Sequence, residues 1–235
     1  MPSFTEPIVA VRLTANGRRG VTLFAPPWED SDGEEWQGFL GDGAKIVLLG
    51  NPDELQTWLA DNPDHDLSDH PAWQAFADRG SKALIPADEA DYDFDGVYEL
   101  AAGEADPVVV SELGDTVDIA ARVADCCEDG ALRSLLNNTR EYALLVEGDT
   151  SYTGREGEAE WTKLGDVIAD SWERALNRIE SWLRWEGSSS EPFEDADDAD
   201  DTDDAEDAEV DDDDTDDVDT DDASDDAGSP PGTRA

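Results

Sequence analysis

The sequence predicts an α+β fold: an N-terminal antiparallel sheet with packed helices, a helical second half and a disordered acidic C-terminal tail. Three observations predict it. Short β-rich apolar runs fill the first fifty residues, apolar side chains recur at three- and four-residue spacing after Pro107, and the last 45 residues are dominated by Asp. The periods differ because side chains alternate along a strand but return to one face of a helix every 3.6 residues.

The elements follow in order. Residues 7–14 read as a strand, with Ile8 and Ala10 facing one way and Val9, Val11 and Leu13 the other. Ala15-Asn16-Gly17 is a turn, because Asn and Gly tolerate positive φ. Residues 20–25 return as the second strand of a hairpin, and Pro26-Pro27 ends it because neither residue donates to a ladder. A short third strand falls around Phe39, and residues 44–49 form a fourth. Asn51-Pro52-Asp53-Glu54 starts a helix: Asn51 caps, Pro52 suits the first helical position, and Glu54 reaches back. Leu55, Trp58 and Leu59 are its buried stripe. A second short helix follows Pro71 with Trp73 and Phe76 inward, preceded by Ser68 or Asp69 as its cap. Residues 81–95 read as connection, and 95–100 begin another short helix.

From Pro107 the stripe Val109, Leu113, Val117, Ala120, Val123 and Cys127 predicts a long helix, with Gly130 as a stop signal. Residues 142–146 are too short to divide between strand and helix. Thr153-Gly-Arg-Glu156 resembles a capping box ahead of the longest helix. Its stripe is Trp161, Leu164, Ile168, Trp172, Ala175, Ile179 and Trp182. The expected organisation is an α+β domain over 1–105, a mainly helical region over 106–187 packed on it or forming a small second domain, and an Asp-rich tail over 188–235.

Charge excludes several functions. The chain of 235 residues has 62 Asp and Glu, 15 Lys and Arg and a net charge of -47. Such a polyanion repels phosphate, so no direct nucleic-acid binding is expected. Residues 191–235 hold 23 of the acids and one base, Arg234, with little apolar material to offset an ordering entropy of about 1–2 kcal/mol per residue. The remainder holds 39 acids and 14 bases together with all eight tryptophans, which is ample for a true core. No run of about 20 apolar residues is present to span a membrane, and the Met-Pro-Ser-Phe-Thr-Glu start predicts no signal peptide. A cytoplasmic location is the expectation.

Candidate chemistry is sparse. His65 and His70, the two histidines, share an Asp-rich loop that offers nitrogen and oxygen donors in no zinc-ligand spacing. A structural loop is the expected use. Cys126 and Cys127 are adjacent, and neighbours on a helix diverge by about 100°, so buried thiols are expected rather than a disulfide or chelate. Gly38-Phe-Leu-Gly41-Asp-Gly43 lacks the Lys and hydroxyl of a phosphate loop and reads as turns. The tail lacks the ordered loop of an EF-hand. No nucleophile–base pair accompanies the histidines, so a non-enzymatic protein with no cofactor and no metal is expected. Trp28, Trp36, Trp182 and Trp185 are the candidate partner-binding residues. Trp182 and Trp185 close the last helix, either as packing or as an exposed aromatic patch.

Several strings together carry a family resemblance. They are Val21-Thr-Leu-Phe-Ala-Pro-Pro-Trp28, Gly33-Glu-Glu-Trp-Gln-Gly-Phe-Leu40, Asp66-Leu-Ser-Asp-His-Pro-Ala-Trp73, Tyr92-Asp-Phe-Asp-Gly-Val-Tyr-Glu-Leu100, and Trp161 through Trp172. Over residues 5–185 the chain resembles an actinobacterial family labelled "primosomal protein", similar in part to the N-terminal region of the mycobacterial export chaperone SatS. The resemblance implies a protein partner and transfers no catalytic residue. The function expected is a protein-binding adaptor or export-chaperone-like protein, its tail aiding solubility or recruiting basic surfaces. The alternative is a replication-associated protein or a DNA mimic that occupies basic protein grooves.

Overall fold

The computed structural model describes residues 6–29, 33, 35–43, 45–148 and 151–187. The tail expected over 188–235 lies outside them. Six strands form one sheet: β1 (Val9–Ala15), β2 (Arg18–Glu29), β3 (Glu35–Phe39), β4 (Ile46–Leu49), β5 (Asp91–Asp93) and β6 (Leu183–Glu186). Among the described residues seven helices accompany them: α1 (Pro52–Asp61), α2 (Trp73–Ala77), α3 (Val97–Ala102), α4 (Pro107–Cys126), α5 (Gly130–Asn137), α6 (Arg140–Glu147) and α7 (Gly154–Trp182). The α+β class and the helical second half are as the sequence predicts.

The sheet differs from expectation in being mixed. Its order is β5-β1-β2-β4-β6, with β3 also on β2. The β1–β2 hairpin is antiparallel through the Asn16-Gly17 turn, where both residues have positive φ. β5 joins β1 and β6 joins β4 in parallel. These outer strands arrive from later in the chain, after long crossovers, which permits the parallel sense. β5 lies in the stretch read as connection. β6 takes Trp185 off the helix on which the sequence placed it.

The alternation along β1 is borne out, and it builds a three-layer core. Val11, Leu13, Ala15, Phe24, Phe39, Ile46 and Leu48 face α3 to α7. Ile8, Ala10, Val21, Leu23, Leu40, Val47 and Leu49 face α1, α2 and the Gly80–Leu84 3-10 turn. Both sheet faces are thus covered, which is why β4 reads Ile-Val-Leu-Leu without polar interruption.

Caps explain several boundaries. The Asn51 side chain accepts the Glu54 amide at 2.9 Å, and the Glu54 carboxylate accepts the Gly50 amide at 3.1 Å. Asp106 accepts the Val108 and Val109 amides and starts α4 ahead of Pro107. Gly130 does not end that helix. The chain leaves α4 at Cys127, Glu128 takes a φ of 50°, and Asp129 caps α5, which Gly130 begins. Residues 142–146 are helical, within α6. Thr153 precedes α7 but its side chain makes no capping bond; its hydroxyl pairs with Ser151 at 2.9 Å instead. Neither Ser68 nor Asp69 caps α2, whose first turn follows Ala72 with no side-chain cap.

Candidate partner-binding surface

The end of the β2–β3 hairpin carries two of the four candidate tryptophans. Pro26 and Pro27 remove two donors, and the register shifts between Ala25 and Trp28. Pairing resumes with Trp28 opposite Trp36. Cross-strand partners share a face, so the rings meet, stacked with centroids 6.5 Å apart at 29°. Trp36 is 51% exposed, while Trp28 is half-buried.

The histidine loop packs beneath this pair. The His70 ring lies 3.9 Å from the Trp28 ring between centroids. His65 meets Trp73 edge-to-face at 4.3 Å. Both imidazoles are buried and accept a backbone amide two residues on: His65 Nδ1 from Leu67 at 3.2 Å, His70 Nδ1 from Ala72 at 3.0 Å. Burial pushes both rings below the usual histidine range, with the Asp66 charge opposing it at His65. The rings therefore stay neutral and hold the loop's turns. Among the described residues no group of three or more His, Cys, Asp or Glu is placed to hold a metal ion.

At the base of this packing two polar atoms stand alone. Trp28 Nε1 and His70 Nε2 are both buried and have no hydrogen-bond partner among the described residues. Because His70 Nδ1 accepts the Ala72 amide, the proton of the neutral ring sits on Nε2. Both atoms are N–H donors.

Trp182 and Trp185 are placed differently. Trp182 ends α7 and its indole N–H donates to Asp129 at 2.8 Å, with the Lys45 ammonium 5.6 Å from the ring centroid. Trp185 stands on β6, half-buried, near Gly20; a Cβ there would lie 2.9 Å from the Leu48 Cβ and 3.1 Å from both the Leu49 carbonyl and the indole, so the glycine makes room for β4 and the ring together. The structure brings Trp28 and Trp36 together and places Trp182 in a polar junction instead.

That junction is the feature sequence reasoning missed. Asp129, with no exposed side-chain surface, accepts from Arg178 Nε and Nη2 at 2.6–3.0 Å, from Trp182, and from the Ala131 and Leu132 amides. Burial alone would push its carboxyl up. The Arg178, Trp182 and Leu132 donors outweigh that and hold it well below the carboxylate range. An Asp followed by a helix start was a visible capping signal; the Arg178 partner, 49 residues on, was not.

Beside the junction a cleft of about 380 Å³ is lined by Lys45, Asp66, Glu128, Trp182 and both cysteines. Cys126 and Cys127 are half-buried free thiols, and they share this cleft because Cys127 has already left the helix. Burial, with the neighbouring Cys127 and Asp125 charges, pushes Cys126 up to about 12. Burial and Asp129 push Cys127 up to about 11. Both remain protonated near neutral pH, which is the reverse of an activated nucleophile. Gly38, expected in a turn, lies in β3 opposite Ala25, and only residues 40–43 turn toward β4, the Gly43 amide donating to Asp66 at 3.0 Å.

Among the described residues no helix is long and apolar enough to cross a membrane.

The comparisons fit this architecture. The model of the SatS C-terminal domain family matches residues 8–180. A protein built on this mixed sheet with its helical second half is therefore a SatS-type domain, and the chain belongs to the SatS C-terminal domain family. A solved structure of the SatS C-terminal domain, in complex with bromine, is similar at 26% identity and a TM-score of 0.54, covering 77% of this chain and 94% of that one. No curated protein matches. The resemblance to SatS holds, but the matching part is its C-terminal domain and not, as the tryptophan-bearing strings suggest, its N-terminal region.

Proposed function

We propose that the protein is a non-enzymatic, cytoplasmic protein-binding adaptor that behaves like an export chaperone. The observation that carries this reading is the half-exposed Trp36 stacked on Trp28 in a domain of the SatS family. An exposed aromatic pair offers large contact area at low entropic cost, which suits recognition of another chain. The histidines are neutral and tied to loop amides, and the thiols are protonated, which supports a role in binding over turnover. The acidic tail aids solubility or draws in basic surfaces at long range.

The test is suppression of aggregation. The full chain, mixed with a chemically unfolded exported preprotein, is expected to keep it soluble in a light-scattering assay, and Trp36→Ala is expected to weaken that protection several-fold. Aggregation at the rate seen with an inert protein would reject the reading.

A further inference from the structure

The loop from His65 to Ala72 is folded around its two histidines. Each Nδ1 accepts the amide two residues on, that of Leu67 at His65 and that of Ala72 at His70. Backbone bonds close the same turns: the His65 carbonyl accepts the Ser68 amide at 2.9 Å, and the His70 carbonyl accepts the Trp73 amide at 2.8 Å. The rings are 4% and 8% exposed and pack on tryptophans, His65 on Trp58 and Trp73, His70 on Trp28. The loop thereby ties together the β2–β3 hairpin, α1 and α2. Its Leu67 is buried in the same apolar cluster as Trp58 and Phe76.

This arrangement suits neutral rings alone. A neutral imidazole has one acceptor nitrogen, and both rings use it on an amide N–H. A proton added at Nδ1 turns the acceptor into a second donor aimed at that amide, and it places a charge where water is excluded. At His70 the other nitrogen has no partner among the described residues. The packed elements present indoles to the rings, not counter-ions. Their nearby acids, Glu29 on the hairpin, Asp61 ending α1 and Asp78 after α2, are exposed and act on neither ring. Within the loop Asp64, Asp66 and Asp69 are exposed; the Asp66 charge favours a protonated His65, and burial outweighs it. At His70 burial is the acting cause. The Trp28 face attracts an imidazolium but restores no acceptor to the Ala72 amide.

We propose that the His65–Ala72 loop is an acid-operated latch: on acidification each ring takes up one proton from water at Nδ1, its turn opens, and the loop lifts off Trp28, Trp58 and Trp73 to uncover the apolar face that Leu67 closes. Histidines of the open loop bind protons near about pH 6.5, and those of the closed loop bind them lower, because burial opposes the charge. The closed form is therefore fully favoured above about pH 6.5 and loses its advantage as pH falls from there toward the depressed closed-state values. Within that window the open-to-closed ratio grows by up to about tenfold per pH unit for each histidine, about a hundredfold for both. The latch is a property of this loop and stands whether or not the protein-binding reading does.

Titration of the full chain from about pH 8 to about pH 4, followed in ¹⁵N and imidazole ¹³C spectra, tests it. Both imidazoles are expected to titrate with midpoints below about 6.5, and the indole N–H signals of Trp28, Trp58 and Trp73 are expected to move with them. The Trp172 indole, bonded to the Phe94 carbonyl in the opposite core, is expected to stay in place through that step. Nile red, a neutral dye that brightens on apolar surface, is expected to brighten over the same range. The double variant His65→Asn with His70→Asn keeps a side-chain acceptor for the amide two residues on and cannot titrate, so the step is expected to vanish. Either single variant is expected to lose about tenfold of the change per pH unit. The same step in the folded double variant, imidazole midpoints at or above about 6.5, or histidine titration without dye brightening overturns the latch. So does movement of Trp172 together with the loop, which means that the whole chain unfolds. If the double variant does not fold, the wild type carries the test: indole signals that move at a different pH from the imidazoles overturn the proposal.

Discussion

Helix α7 and the β2–β3 hairpin both bury tryptophan, but they treat its one polar atom differently. On α7, Trp161 donates to the Gly103 carbonyl at 3.0 Å, Trp172 to the Phe94 carbonyl at 2.8 Å and Trp182 to Asp129 at 2.8 Å. On the hairpin, the buried Trp28 N–H has no partner among the described residues. An indole that is both packed and bonded fixes one arrangement of its neighbours, because moving it breaks contacts and strands a donor and an acceptor. An indole whose donor is unmet loses less on moving and gains on meeting an acceptor. The difference is one of bonding and not of burial alone, and unmet buried atoms occur in the core as well, at Thr22 and Tyr92. Trp185 is an intermediate case, its N–H also unmet but its ring wedged against the Gly20 backbone.

The largest effect is expected where the framework is most densely bonded. Asp129→Ala removes both Arg178 contacts, the Trp182 acceptor and the α5 cap together. A loss of about 3 kcal/mol is expected, allowing for the partly exposed Arg178, and a fall in Tm of roughly 6–12 °C in a chain of this size. The pH dependence sharpens this. The folded carboxyl titrates below its unfolded value near 4, so its stabilisation is present above about pH 4 and is lost as pH falls toward the depressed folded value. The stability gap between the wild type and Asp129→Asn is expected to narrow as pH is lowered from about 5 to about 2, as measured by urea unfolding. A gap that stays constant would mean the Asp129 charge does not stabilise the fold.

Next comes Trp172→Phe. The side chain is fully buried, so the change opens a cavity and leaves the Phe94 carbonyl without its donor. About 2–3 kcal/mol of destabilisation is expected in chemical denaturation. A cost below about 1 kcal/mol would show that the bond is replaced by water and is not part of the framework.

Much of this framework was legible because periodicity is a local signal. The stripe from Trp161 to Ile179 is buried as its spacing predicts, and the alternation of Ile8 to Leu13 sorts side chains onto the two sheet faces. The same signal misled at Trp182 and Trp185. Their three-residue spacing continues the helical pattern, but Leu183 turns to extended backbone, with φ -86° and ψ 136°, where β4 offers an open edge. β5 was invisible for a related reason. Asp91-Tyr92-Asp93 has weak strand character of its own, and it becomes a strand by pairing with β1 while Arg12 and Arg19 meet Asp91. At the surface, Trp28 and Trp36 were legible as candidate contacts from their residue type. Their pairing needed the register across the hairpin, and the unmet donors of Trp28 and His70 needed the packing of a loop forty residues away.

The smallest effect is expected at Trp28, and it tests the contrast directly. Trp28→Phe makes the same change as Trp172→Phe, deleting an indole and its N–H in favour of a smaller ring. At Trp172 the deleted donor was satisfied; at Trp28 it was not. Removing an unsatisfied buried donor returns its desolvation cost, which offsets part of the apolar area lost with the larger ring. The stacking on Trp36 and the contact with His70 can persist through a phenyl ring. A net change below about 1 kcal/mol is expected in the same denaturation experiment, with either sign possible. If Trp28→Phe instead costs as much as Trp172→Phe, the bonding state of the indole N–H does not set the cost, and apolar packing dominates at both sites.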